Sequence, residues 1–236
     1  SDERGRTVVV HTRCRRPDAT APRGCVVRAG DLGGRGLRTL YRPRHEDDVP
    51  YADLHRGTLA VVHGRTGDPR AIDVRARGAT GFRRVARGSI GAMRLGRGWL
   101  GFETGGPDEY VTRALDLASG LEHDLAIDDQ FDNDCRCTGS SSRAGSPFVA
   151  GHHAYWLETD FGDHATGGHP VVTRIARADL RQGSPRVEFY DTERPAAEFA
   201  VRGPRLVYIG LFGTGEVREV AGPTWRKAPF RIPSRT

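Results

Sequence analysis

Apolar residues recur along this chain in short runs, broken repeatedly by glycine, proline and aspartate, and the runs are strand-length rather than helix-length. The cleanest unit spans Ser89 to Ile127. It reads as four strands, Ser89 to Leu95, Trp99 to Thr104, Tyr110 to Leu117 and Leu121 to Ile127. Turn chemistry separates them at Gly96-Arg97-Gly98, Gly105-Gly106-Pro107-Asp108 and Ala118-Ser119-Gly120, where glycine accepts a positive φ and proline presets its own. An antiparallel sheet of this size cannot bury both faces alone. It requires sheets of the same kind stacked against it.

The same phrase fits at five places, over residues 1–44, 45–88, 89–127, 146–192 and 193–236, with an insertion at 128–145. The first unit lacks a first strand. The segment near Phe230 is expected to supply it, unless the array is an open fragment of a longer chain. The second strands superpose as VVVHT, AVVHG, LGFET, YWLET and LVYIG, which puts His11, His63, Glu103 and Glu158 in one column with Ile209 or Gly210. These strands are nearly all apolar, whereas fourth strands such as FRRVARG and RVEFYDT are mixed. Sheets stacked face to face require that contrast, because inner strands are covered on both sides and outer strands meet water. The fold class expected is all-β, a single propeller-like domain of about five four-stranded antiparallel blades, with helices nearly absent.

Composition adds limits. At 236 residues and 37% hydrophobic, the chain can bury a sizeable core. No apolar run reaches the roughly 18 residues that span a bilayer, and nothing near Ser1 resembles a signal peptide. Because the chain starts with serine, an upstream signal or anchor is expected to have been removed. The net charge of +6 raises the question of a nucleic-acid partner. All of the 36 basic residues except Lys227 are arginine, however, and they are scattered among acids with no recognition helix to carry them. A solvated surface is the expectation, not nucleic-acid binding.

Cys14 and Cys25 flank the loop RRPDATAPRG between two strand-like runs, TVVVHTRC and CVVRAGDL. If the runs pair, the two cysteines face each other at the mouth of the hairpin, where a disulfide is expected. Cys135 and Cys137 stand one residue apart, a spacing that is neither a redox CxxC nor, alone, a zinc knuckle. Four cysteines in pairs favour an oxidising location: secreted, cell-surface or periplasmic.

The phrases AMRLGRGWLGFET, FVAGHHAYWLET and FAVRGPRLVYIG, each a short strand, a glycine turn and an apolar strand, are followed by third strands ending in DLASG or ADLRQG. In this the chain resembles the TolB-like and related β-propellers, although the Ser-Pro-Asp-Gly turn typical of TolB repeats is absent. The resemblance implies a binding platform or the gating domain of a peptidase. It does not imply a catalytic motif.

Candidate chemistry is sparse. The column His11, His63, Glu103 and Glu158 offers imidazole and carboxylate groups for a polar ligand, or for polar ties between blades. The loop of GHHAYWLETDFGDHATGGHP places Asp160, Asp163, His164 and His169 together, with His152 and His153 one strand away, and these residue types can hold a divalent cation. Asp128, Asp129, Asp132 and Asp134 depart from the calcium-loop pattern, since Arg136 falls where a third ligand belongs, so the stretch reads as a surface insertion pinned by the cysteines, with calcium binding as the alternative. Asp53, Asp129, Glu103 and Glu158 are the acids expected near a central channel, where a glycosidase would need its acid and base. No nucleophile elbow, HExxH or P-loop occurs. The sequence therefore reads as a binding scaffold for a protein or glycan ligand, with no cofactor beyond a divalent cation that these side chains could hold. The alternative is a glycosidase-type hydrolase.

Overall fold

The structure is a computed structural model. It describes residues 2–3, 6–15, 22–31, 33–65, 70–105, 109–129, 141–144, 147–161, 170–182, 187–191, 196–202, 205–210, 217–221 and 226–228. Among the described residues every regular element is a β-strand and none is a helix. The chain divides into two compact units, Ser1–Arg97 and Gly98–Thr236.

In the first unit, β1 (Asp2–Glu3) pairs with β2 (Arg6–Thr7), and β3 (Val9–Arg13), β4 (Val26–Gly30) and β5 (Arg38–Tyr41) form a three-stranded antiparallel sheet. Next come β6 (Tyr51–His55), β7 (Thr58–His63), β8 (Arg70–Arg75) and β9 (Arg83–Leu95), each paired antiparallel with the one before. The β6–β7 turn is tight, with Arg56 at φ 49° and Gly57 at φ 87°. Both residues are left-handed, as a two-residue type I′ hairpin requires. β7 is buried on both faces: Leu59, Ala60, Val61 and Val62 are all at 0% exposure. On one face, Leu59 and Val61 join Leu54 and pack against Val10, Leu40 and Tyr41 of the three-stranded sheet and against Val8 just before it, so the two sheets stack face to face. The Thr12 hydroxyl adds a polar tie by donating to the Pro50 carbonyl at 2.6 Å.

Where the sequence pattern separates Phe82 to Arg87 from Ser89 to Leu95, the structure joins them in the single 13-residue strand β9. Its first part, Arg83 to Gly88, pairs with β8. The remainder carries the buried Ile90, Met93 and Leu95 and reaches β6, where the Leu95 N–H donates to Asp53. No proline or closed turn lies between the two parts. Gly88, at φ 144°, redirects the strand without ending it.

In the second unit, β10 (Trp99–Gly105), β11 (Glu109–Asp116) and β12 (Glu122–Asp129) pair in sequence. β12 alternates exposed Glu122 and Asp124 with buried His123 and Leu125, the pattern of a strand with one face in water. The next sheet is built on β15 (His153–Phe161). One edge of β15 is covered by two short strands, β13 (Ser141–Ala144) and β14 (Phe148–Ala150), and the other by β16 (Pro170–Asp179), which pairs in turn with β17 (Val187–Asp191). β13 thus gives part of the stretch read as an insertion a place in a sheet. The last sheet orders β18 (Ala196–Arg202), β19 (Arg205–Gly210), β20 (Val217–Ala221) and β21 (Arg226–Ala228). Phe230, expected to complete the first blade, lies outside the described residues.

Ala114 and Leu125 of one sheet pack against Val149, Ala154, Trp156, Ala176 and Ala178 of the next, again face to face. At Gly101 the two sheets approach closely. A Cβ placed there would stand 2.1 Å from the Pro147 carbonyl oxygen and 2.7 Å from its Cγ.

Cys14 and Cys25 form a disulfide. They follow directly on the last register pair of the hairpin, Arg13 with Val26, and so stand opposite each other. Their Cα atoms are 3.9 Å apart. Replacing both cysteines by serine is expected to cost about 2–3 kcal/mol on the chain-entropy account. Urea melts of the two forms measure this, and equal midpoints would contradict it.

Candidate functional site

The column of four residues lies on second strands throughout, His11 on β3, His63 on β7, Glu103 on β10 and Glu158 on β15, but the four have different surroundings. His11 is exposed and stands across from Arg28. Glu103 is buried at 7% exposure opposite Thr112, itself at 1%. Glu158 accepts a hydrogen bond from the indole Nε1 of Trp156 at 3.1 Å, and Trp156 is fully buried.

His63 belongs to the most connected cluster of the first unit. Its Nε2 lies 2.8 Å from Asp73 Oδ2, and its Nδ1 lies 3.8 Å from Asp48 Oδ2. Asp73 also receives the Arg84 guanidinium, Nε to Oδ1 at 3.0 Å. Asp48, at 5% exposure, accepts the backbone N–H of Gly64. The Tyr41 ring lies 5.7 Å from the imidazole and packs edge-on against Phe82. Register explains the meeting: Asp73 is directly across from Arg84 and diagonal to His63 on the neighbouring strand. The sequence pattern picks out His63 but not its partners. The one signal it carries for them is Asp73, a lone acid inside the apolar run AIDV.

Burial pushes the Tyr41 phenol up to about 12, helped by the charges of Asp48 and Asp73. Burial would also raise Asp73, but hydrogen bonds from Arg84 and His63 outweigh it and hold the carboxyl below its ordinary value. Protonation of Asp73 is therefore easier in the unfolded chain, whose value is near ~3.9. Its stabilisation is complete above that pH and is lost as pH falls through the lower folded value. The stability of Asp73→Asn should accordingly depend less on pH than that of the wild-type chain below about pH 4. Urea melts across that range test this, and parallel profiles would refute it.

Asp53, another expected channel acid, is held by the backbone. Its Oδ1 accepts the Leu54 N–H and its Oδ2 the Leu95 N–H, both at 2.8 Å, while the neighbouring Tyr51 hydroxyl donates to the Met93 carbonyl at 3.0 Å. These bonds fasten β6 to the far end of β9. Asp128 and Asp129 close β12, in register with Tyr110 and Glu109.

Of the expected cation loop, Asp160 is placed on β15 in register with Val172 and Ser142. Asp163, His164 and His169 lie outside the described residues, as do Asp132, Asp134, Cys135 and Cys137. His152 and His153, by contrast, come together with Asp179, the aspartate of the ADLRQG phrase, to which the sequence pattern assigns no ligand role, and donor atoms of the three lie within 4.8 Å of one another. Asp179 is bound by Arg181 through its side chain and backbone N–H, the guanidinium bond being the main cause that holds this carboxyl far below its ordinary value. Burial lowers His153, with the adjacent His152 adding to the effect.

No family model and no curated protein sequence matches the chain. Solved structures do match in fold. The chain is similar to TolB from Acinetobacter baumannii, at TM-score 0.61 and 13% identity over 97% of this chain and 53% of that one. It is also similar to a prolyl endopeptidase, at TM-score 0.60 and 13% identity over 97% of this chain and 34% of that one. The chain thus spans about half the length of the first and a third of the second. With its stacked antiparallel sheets, and with β7 and β10 buried as expected of second strands although β3 is mostly exposed, the chain has the TolB-like β-propeller architecture, a likeness of fold alone.

Proposed function

We propose that the chain is a binding scaffold: one propeller domain of about five blades that offers its loops to a protein or glycan ligand in an extracellular, cell-surface or periplasmic setting. The observation that carries this reading is how the acids of the inner strands are used. Both Asp53 oxygens accept backbone amides, and Glu158 takes the indole N–H of a buried tryptophan. A glycosidase needs one carboxyl to exchange a proton and a second at a fixed separation to act as base or nucleophile. An acid that ties β6 to β9 and another bonded to a buried indole on its own strand suit a rigid platform better. The Cys14–Cys25 disulfide supports an oxidising compartment, and the fold shared with TolB supports the platform.

The test pairs a glycan array with a panel of aryl glycosides, using the wild-type chain and a Glu103→Gln/Glu158→Gln variant. The scaffold reading expects no turnover of any glycoside by either form. Turnover by the wild type that the double substitution abolishes would replace it with the hydrolase reading.

A further inference from the structure

We propose that His152, His153 and Asp179 form a binding site for a divalent transition-metal ion of the zinc class, built on two adjoining turns of the β15 sheet. This inference does not depend on the scaffold reading. Successive side chains of an extended strand point to opposite faces, so neighbouring histidines ordinarily diverge. Here they converge. Gly151, at φ 65°, turns the chain just before β15, and the two imidazole centroids lie 4.4 Å apart. The third donor is set by register, since Asp179 is directly across from His153. The turn is fastened from the other side as well: the Leu180 N–H donates to the His152 carbonyl at 2.8 Å, so the backbone under the site is fixed whether or not an ion is present.

Two imidazoles and a carboxylate are donors suited to zinc and its neighbours rather than to magnesium or calcium, which prefer oxygen alone. All three side chains are half-buried, which leaves them reachable from solvent. Their donor atoms, within 4.8 Å of one another, need only side-chain rotation to reach the spacing of about 3.3 Å that bonds of about 2.0–2.1 Å impose in a tetrahedron. Three protein ligands leave the fourth position open to water or to a donor from another molecule.

The Arg181 guanidinium already occupies the carboxylate, with Nε 3.0 Å from Asp179 Oδ1 and 3.2 Å from Oδ2 and a further bond from Nη2 to Oδ2. With the Arg181 backbone N–H, which also donates to Oδ1 at 3.1 Å, these contacts take up about the four acceptor positions of an ionised carboxylate, so an ion must displace the guanidinium. The Arg181 side chain is 65% exposed and can swing into water at little cost. Arg181 thus acts as a tethered cation competing for the same oxygens. That gives the site a signature of opposite signs: removing a ligand weakens the ion, and removing Arg181 tightens it.

Isothermal titration of the full chain with zinc, after treatment with a chelator, tests the proposal. One ion per chain is expected. His153→Ala and Asp179→Asn should each weaken it by about 10-fold to 100-fold, at least the scale on which even the outer partners of metal ligands matter. Arg181→Gln, a surface change that leaves the fold intact, should tighten it by about two- to five-fold, the small effect expected of an exposed ion pair. Zinc binding that is unchanged in His153→Ala and Asp179→Asn would overturn the proposal. So would binding that is lost only when Asp163, His164 and His169 are replaced, or that weakens in Arg181→Gln.

Discussion

Trp156→Ala is expected to destabilise the protein by about 3–5 kcal/mol, the largest effect expected of any single substitution in this chain. Trp156 is completely buried, and it stands among Val149, Ala154, Ala176 and Ala178 on its own sheet and Ala114 and Leu125 on the next. Four of those six neighbours are alanines. Small residues make room for one large ring, and with the ring gone their side chains are too short to close the space. The substitution also leaves Glu158 without the indole donor at 3.1 Å. Trp156→Phe keeps most of the volume and should cost clearly less. Chemical denaturation with intrinsic fluorescence measures both, and a loss below about 1 kcal/mol for the alanine variant would mean that the sheets do not pack through this residue.

Gly101→Ala should cost about 1–3 kcal/mol or more, although it adds a single methyl group to a β-strand. The atom that methyl meets, the Pro147 carbonyl oxygen, belongs to the backbone and cannot rotate away. Relief requires the strand after Pro147 to move, and that strand carries Val149 into the core. Gly81→Ala is the control: no atom lies within 4 Å of where its methyl would stand and its φ is not positive, so the change should stay within about 1 kcal/mol. Equal thermal midpoints for the two variants would contradict the close approach of the sheets at Gly101.

Strands were legible because burial on one face or two leaves a periodic record in the residues themselves. Trp99 to Thr104 is expected and β10 runs one residue further, and the ends of β11 and β12 differ from expectation by a residue or two. The Cys14–Cys25 pair was legible because hairpin closure is local. Contacts between elements left no such record. Nothing in LGFET says that Gly101 is bare because Pro147 lies against it, and nothing in YADLH says that Asp53 will bind the Leu95 amide 42 residues away. The column His11, His63, Glu103 and Glu158 follows from strand alignment, but strand alignment fixes position along a strand and not the neighbours. Asp48, Asp73 and Arg84 around His63 come from other parts of the chain and depend on register. The convergence of His152, His153 and Asp179 is of the same kind.

Amide hydrogen exchange tests the central claim most directly, because it reads the stacking of sheets strand by strand. If β7, β10 and the start of β15 are covered by neighbouring sheets, the amides of Thr58–His63 and Trp99–Gly105, and those of the buried Ala154 and Trp156, should exchange only through global unfolding. Those of Glu122–Asp129, with one face in water, should exchange earlier through local opening. Outer strands protected as strongly as the second strands, or second strands that exchange first, would contradict the stacked-blade account.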